Sequence, residues 1–129
     1  MSDNEKPDAN IGAIEWCDLT VDDAENVKDF YCSVVGWDYR AASMGDYDDY
    51  GINLPESSET IAGICHARGA NSNLPAQWLM YVRVANVAAS AKRCEELGGT
   101  VLDGPRALGQ SQFCVIRDPA GAVLALVSD

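Results

Sequence analysis

VDDAENVKDFYCSVVGW, residues 21–37, is echoed by VANVAASAKRCEELGG at residues 84–99. Each copy leaves an apolar strand at Val21 or Val84, passes a capping residue, runs through a helix-period stretch and stops at glycine. Sliding one copy over the other by about 63 residues puts Val21 on Val84, Asp23 on Asn86, Val34 on Leu97 and Gly36 on Gly99. The first copy reads as a strand over 11–21 and a helix over 22–35, ending at Gly36-Trp37. The second reads as a strand over 78–84 and a helix over 86–97, ending at Gly98-Gly99. A strand–helix–strands unit written twice decides the fold.

Working outward, Asp22 with Glu25 three residues on reads as a capping box, and Val27, Phe30, Tyr31 and Val34 follow helical spacing. Gly36 is the natural stop, where a left-handed residue is needed. Residues 37–43 and 47–53 form a hairpin through Met44-Gly45-Asp46, and 60–67 add a strand. Residues 69–75, with Gly69, Asn71 and Asn73, show no periodicity and read as the linker between modules at about 10–68 and 76–129. In the second module Asn86 caps a helix with inner face Val87, Ala91, Cys94 and Leu97. Strands are expected at 99–103, 111–117 and 122–127, with Asp118-Pro119-Ala120-Gly121 as a turn.

A chain of 129 residues with 47% hydrophobic composition is expected to form a single globular domain over 10–129. No apolar stretch approaches the ~20 residues that span a bilayer. The start, MSDNEKPDAN, lacks the basic, apolar and small-residue regions of a signal peptide, so residues 1–9 read as a disordered acidic tail. The five cysteines are odd in number and sit inside expected strands or helices. They read as reduced core thiols of a cytoplasmic protein. The net charge of −11 argues against nucleic-acid or anionic membrane partners. It fits a solubilising surface, or a cationic ligand if the acids line a cleft.

FYCSVVGW at 30–37, ELGG at 96–99 and RDPAGAVLALV at 117–127, in that order and spacing, resemble the vicinal oxygen chelate superfamily. That superfamily includes glyoxalase I, bleomycin-resistance proteins and extradiol dioxygenases. The resemblance covers residues 11–128. It implies an α+β fold in which two βαβββ modules form a curled, open, barrel-like mixed sheet around a cleft, with helices outside. It also implies a homodimer.

The resemblance further implies a divalent metal held by His, Gln or Glu from four strands. Carried over one at a time, those positions fall on Trp16, Gly63 (within a residue), Leu79 and Ala125. Gly63, Leu79 and Ala125 offer no donor, and an indole nitrogen has no lone pair for an ion. A slip of one residue would expose Glu15 or His66, never a full set. No metal and no cofactor are therefore expected, and His66 reads as a polar side chain near a strand end.

Period two from Trp16 turns Ile14, Asp18 and Thr20 toward the cleft and Cys17 and Leu19 toward the helix. Leu79 brings Tyr81 and Arg83 to the cleft side, with Trp78, Met80 and Val82 opposite. Val123 and Val127 accompany Ala125. The expected ligand-binding set is Trp16, Asp18, Leu79, Tyr81, Arg83 and Ala125. Asp18 and Arg83 could pair as a structural clasp, lie at the rim, or orient a ligand. Trp16 could stack on a flat or cationic ligand, or fill the space a metal would take.

Nucleophilic chemistry has little support. Cys65 and His66 are strand neighbours and point to opposite faces, and no phosphate loop or nucleophile elbow occurs. The reading that follows is a metal-free binder of a small organic molecule. The alternatives are a metal-independent lyase or isomerase using Asp18, Tyr81 or Arg83, and an accessory subunit acting through its interface.

Overall fold

The computed structural model describes residues 10–129, and the expected tail at 1–9 lies outside the described residues. The chain is α+β and consists of two βαβββ modules. It divides into two compact units, one of Trp16–Trp78, the other of Leu79–Asp129 with the residues up to Glu15.

In the first unit the elements are β1 (Ile14–Val21), α1 (Ala24–Val35), β2 (Asp38–Ser43), β3 (Asp48–Asn53) and β4 (Thr60–His66). The boundary between the units falls inside β1, after Glu15. The strands lie in the order β2-β3-β4-β1. β1 runs parallel to β4 with Asp18 opposite Gly63, while β2–β3 and β3–β4 are antiparallel. A parallel neighbour needs a crossover, which α1, β2 and β3 together supply.

The cap of α1 is Asp23, one residue beyond the expected Asp22. Its carboxylate accepts the backbone N–H of Asn26, and the Asn26 side-chain amide adds a second bond at 2.7 Å. Gly36 closes the helix with φ +89°, its N–H donating to Cys32 O, as glycine alone does without strain.

The inner face of α1 differs from the expected stripe. Ala24 and Lys28 are buried, with Val27 and Tyr31 partly buried, whereas Phe30 and Val34 stand exposed. The side chain that defeats the pattern is Lys28. Its stem lies inside and its ammonium sits 4.1 Å from the Tyr39 ring centroid and 4.8 Å from that of Tyr50, 2.9 Å from Asp29. A long cationic side chain can line a core while its head finds aromatic faces and a carboxylate. Burial pulls this ammonium down, but Asp29 and Tyr39 outweigh burial and hold its pKa above the ordinary lysine value. Leu19, Ala24, Tyr50, Ile52, Ala62 and Ile64 form the core, with Tyr31, Trp37 and Trp78 packed edge to face beside it.

In the second unit the order is β5 (Leu79–Arg83), α2 (Val87–Glu96), β6 (Thr100–Leu108), β7 (Ser111–Arg117) and β8 (Val123–Ser128), arranged β5-β8-β7-β6. β5 runs parallel to β8 with Tyr81 opposite Ala125, the same device as Asp18 opposite Gly63. Asn86 caps α2 by accepting from Ala89 N, and Ser128 Oγ accepts from Val87 N at 3.1 Å. Val87 and Ala91 pack on Cys114 and Leu126. Leu97, expected on that face, is exposed because the helix ends at Glu96.

The left-handed residue after α2 is Gly98, at φ +97°. Gly36 therefore matches Gly98 rather than Gly99. Gly99 is required for a different reason: a Cβ there would lie 2.9 Å from Arg117 O. β6 continues five residues past its expected end at 103, crossing Gly104-Pro105 with register shifts on either side of Asp103. Such irregularities bend a strand without ending it. The Asp118 carboxylate accepts from Ala120 N and Ala122 N and makes the β7–β8 turn. The linker holds more order than expected, with a 3₁₀ turn over Gly69–Asn71 and a buried Leu74.

Candidate functional site

Each unit packs its helix against one face of its own four strands. The opposite, helix-free face carries the candidate site residues, and the two units fill that face differently.

On β1, Cys17, Leu19 and Val21 pack into the α1 core, so Trp16, Asp18 and Thr20 turn the other way. Pairing with β4 puts Gly63 beside Asp18 and Cys65 beside Thr20 on that face. Trp16 Nε1 donates to Asp18 Oδ1 at 3.1 Å, and Cys65 Sγ donates to Asp18 Oδ2 at 3.6 Å. The absence of a side chain at Gly63 is what makes this fit. A Cβ there would run into Asp18 Oδ1 and would lie 3.5 Å from Trp16 Cζ2. Trp16 and Asp18 thus occupy the space above Gly63, and both are half-buried.

The thiols nearby are inert. Burial, then the Asp18 charge, pushes the Cys65 thiol far above its ordinary range, and the same two causes raise Cys17. Neither supplies a thiolate at neutral pH. His66 ends β4 as a polar side chain. Its Nδ1 lies 2.8 Å from the Asp48 carbonyl, which only accepts, so that nitrogen carries the proton. Asp49 Oδ1 accepts the His66 backbone N–H and lies 3.5 Å from the same ring nitrogen.

In the second unit Tyr81 aligns across the strands with Ala125, Val115 and Asp103, and Val127 aligns with Arg83 and Phe113, the latter opposite Arg106. Leu79, Tyr81, Ala125, Val115, Val127 and Phe113 are all buried, although none belongs to the cluster packed on α2. Leu79 and Ala125 lie at 2% and 0% exposure, so of the expected binding residues these two form a floor rather than a surface.

The sequence leaves Arg83 free to pair with Asp18, lie at the rim or orient a ligand. Its guanidinium is instead held by Glu15 in a two-pronged bond (2.8 and 3.0 Å) and by Asp129 at 2.9 Å. These hydrogen bonds to Glu15 and Asp129 outweigh burial and raise its pKa further. Glu15 is outside the expected binding set. It takes Arg83 because that residue ends β5 and its backbone pairs with Gly12 and Ala13.

Three residues escaped the sequence reading. Phe113 packs its ring 5.5 Å from Tyr81, the Arg106 guanidinium lies 4.9 Å above Phe113, and Asp103 clamps Arg106 at 3.1 and 2.9 Å. The bond to Asp103 raises the Arg106 pKa above its usual value. Alternation along β7 could have turned Phe113 to this face. Asp103 and Arg106 were hidden because Gly104-Pro105 between them reads as a strand breaker.

Among the described residues no three His, Cys, Asp or Glu side chains converge as a metal site. The positions the resemblance assigned to ligands hold Trp16, Gly63, Leu79 and Ala125. The one nitrogen among those side chains donates to Asp18, and the space above Gly63 is taken by an indole and a carboxylate. This donor set does not fit a divalent ion.

Residues 13–126 match the Glyoxalase/Bleomycin resistance protein/Dioxygenase superfamily. The chain belongs to that superfamily. It is similar to an anthracycline biosynthesis protein of Streptomyces peucetius, at 28% identity over 89% of this chain and 46% of the relative. The chain thus spans about half the length of the curated relatives it matches. Among solved structures it resembles a superfamily member from Vibrio splendidus (TM-score 0.56, 12% identity, 88% of this chain and 97% of that one). It also resembles a methylmalonyl-CoA epimerase bound to methylmalonyl-CoA and ammonium (TM-score 0.53, 16% identity, 91% and 94%). At those identities the structural likeness speaks to fold alone. No helix among the described residues is long and apolar enough to cross a membrane.

Proposed function

We propose that this chain binds a small, partly aromatic organic molecule on the helix-free faces of its sheets, without a metal ion. One observation carries the reading. Trp16 and Asp18 stand together over Gly63, and Trp16 and Gly63 are two of the strand positions where the superfamily resemblance would put metal ligands. An indole beside an oriented carboxylate is chemistry for holding a flat ring with a polar substituent. The name of the Streptomyces relative supports a polycyclic aromatic ligand. In the first unit Trp16 and Asp18 supply a ring face and a polar group; in the second, taken by itself, Tyr81 and Arg83 supply polar groups over the apolar backing of Leu79 and Ala125. Five free thiols fit a cytoplasmic protein. A homodimer fits the exposed ridge of Phe30, Val34 and Val35 and the double length of the curated relatives.

The test is titration with daunorubicin, a planar anthraquinone glycoside. Saturable quenching of tryptophan fluorescence is expected, and it should weaken in Trp16→Phe, which keeps Trp37 and Trp78. Absence of saturable binding would overturn the reading. So would one tightly held transition metal per chain in elemental analysis.

A further inference from the structure

We infer that Arg40 and Asn53 form a donor pair beside Gly51, on the helix-free face of the first unit, and that this pair receives a neutral carbonyl oxygen on the ligand's ring system. This rests on the binding reading above and names the chemical class of its ligand.

One row of residues crosses all four strands of that unit. Arg40 on β2 stands opposite Gly51 on β3, Gly51 opposite Gly63 on β4, and Gly63 opposite Asp18 on β1. Tyr39 meets Lys28 on the α1 side, so Arg40, its strand neighbour, turns to the helix-free face. Three strand spacings separate the ends of the row, about 14 Å, which is room for a fused tricyclic ring. The second unit has the same row as Asp103, Val115, Ala125 and Tyr81, and there Val115 and Ala125 are fully buried. Glycine holds both inner places of the row only in the first unit. Trp16 and Asp18 cover Gly63. At Gly51 the nearest obstacle to a Cβ is the Thr60 methyl at 3.3 Å, and the next lies 3.9 Å away.

The groups that border this gap are donors. Asn53 shares its face, with Oδ1 4.0 Å from where a Gly51 Cβ would stand, and is 7% exposed. That oxygen accepts the Thr60 hydroxyl at 2.7 Å, which fixes the amide and leaves Nδ2 to donate. Nδ2 has no partner among the described residues. Every fully buried polar side-chain atom there has one, so this nitrogen opens to solvent. Arg40 is exposed and likewise has no partner among the described residues. A guanidinium only donates, so both groups ask for an oxygen acceptor. The surroundings set the charge of that acceptor. Asp38 stands opposite Asn53 and Asp49 opposite Ala42, on the same face, in a chain of net charge −11. Carboxylates to either side of Arg40 oppose a further anion, whereas a ketone or quinone oxygen accepts both bonds and adds no charge.

The experiment compares fluorenone with fluorene, the same fused rings with and without the carbonyl oxygen, by equilibrium dialysis. Wild-type protein should bind fluorenone about tenfold more tightly. Arg40→Ala should bring fluorenone down to the level of fluorene and leave fluorene unchanged. Asn53→Ala should remove part of the preference. In infrared spectra the carbonyl stretch of bound fluorenone should move to lower wavenumber, and Arg40→Ala should reverse most of that shift, which a purely structural role for Arg40 would not do. If Asn53→Ala does not fold, by circular dichroism, the exposed Arg40→Ala decides. Equal affinity for the two compounds, or a preference that survives in Arg40→Ala, would overturn the carbonyl subsite and leave the binding reading standing. So would tighter binding of a fluorene carboxylate than of fluorenone, which would make the acceptor an anion. Failure of both tricycles while daunorubicin binds would overturn the subsite alone, and failure of all three would overturn both readings.

Discussion

The two modules share one plan and put it to different uses. Both place a parallel strand pair beside a capped helix, with Asp18 opposite Gly63 in one and Tyr81 opposite Ala125 in the other. In Leu79–Asp129 the helix-free face is apolar and buried, from Leu79 through Ala125 to Phe113. In Trp16–Trp78 the same register carries an indole and a carboxylate over a glycine. Duplication fixes backbone register. The side chains at a few matched positions then decide whether a module's inner face is core or site.

That contrast can be broken most directly at Phe113. It is fully buried beneath Arg106 and beside Tyr81. Phe113→Ala should cost about 3–5 kcal/mol in urea unfolding, whereas Trp16→Phe on the matched face should cost about 1 kcal/mol. Similar losses at both positions would dissolve the distinction between core and site.

Exchanging the matched small residues sharpens it. Gly63→Ala adds a methyl group against Asp18 and should destabilise by about 1–3 kcal/mol, as overpacking does. Ala125→Gly removes a buried methyl and loosens a strand, for about 1 kcal/mol.

A pH series tests the second module's core through one buried thiol. Burial pushes the Cys114 thiol up to about 11 from an ordinary 9.0. The folded value lies above the unfolded one, so this contribution is fully present below pH 9 and is lost as pH rises toward 11. Stability should fall across that interval, and Cys114→Ala should flatten the fall. The smallest effects should be equal ones. Asp23→Ala and Asn86→Ala each remove a helix cap, and each should cost about 1 kcal/mol if the duplicated device works alike in both modules.

The order of elements was legible because strand alternation and helix period are strong local signals. The 63-residue slide even aligned the two true caps, Asp23 and Asn86, although the capping box pointed to Asp22. The faces of α1 were not legible, because Lys28 reads as polar while its stem packs as an apolar side chain. Gly104-Pro105 reads as a stop, yet β6 bends through it and brings Asp103 to Arg106. At the site, alternation gave Trp16 and Asp18 a common face. What it could not give was the partner of Arg83, since Glu15 and Asp129 meet it at strand ends, where period two no longer governs.

β2 stands at the end of its sheet with all six residues exposed. An end strand offers backbone groups to any other strand that arrives, which is the beginning of aggregation. Here Asp38 and Arg40 put charge on that strand, Lys28 sets its ammonium against the Tyr39 ring, and the acidic surface keeps neighbouring molecules apart. That last protection depends on proton concentration. It fades as the solution approaches the isoelectric point near 4.2, so mild acid is where this protein should precipitate, strand edge against strand edge, while each fold is still intact.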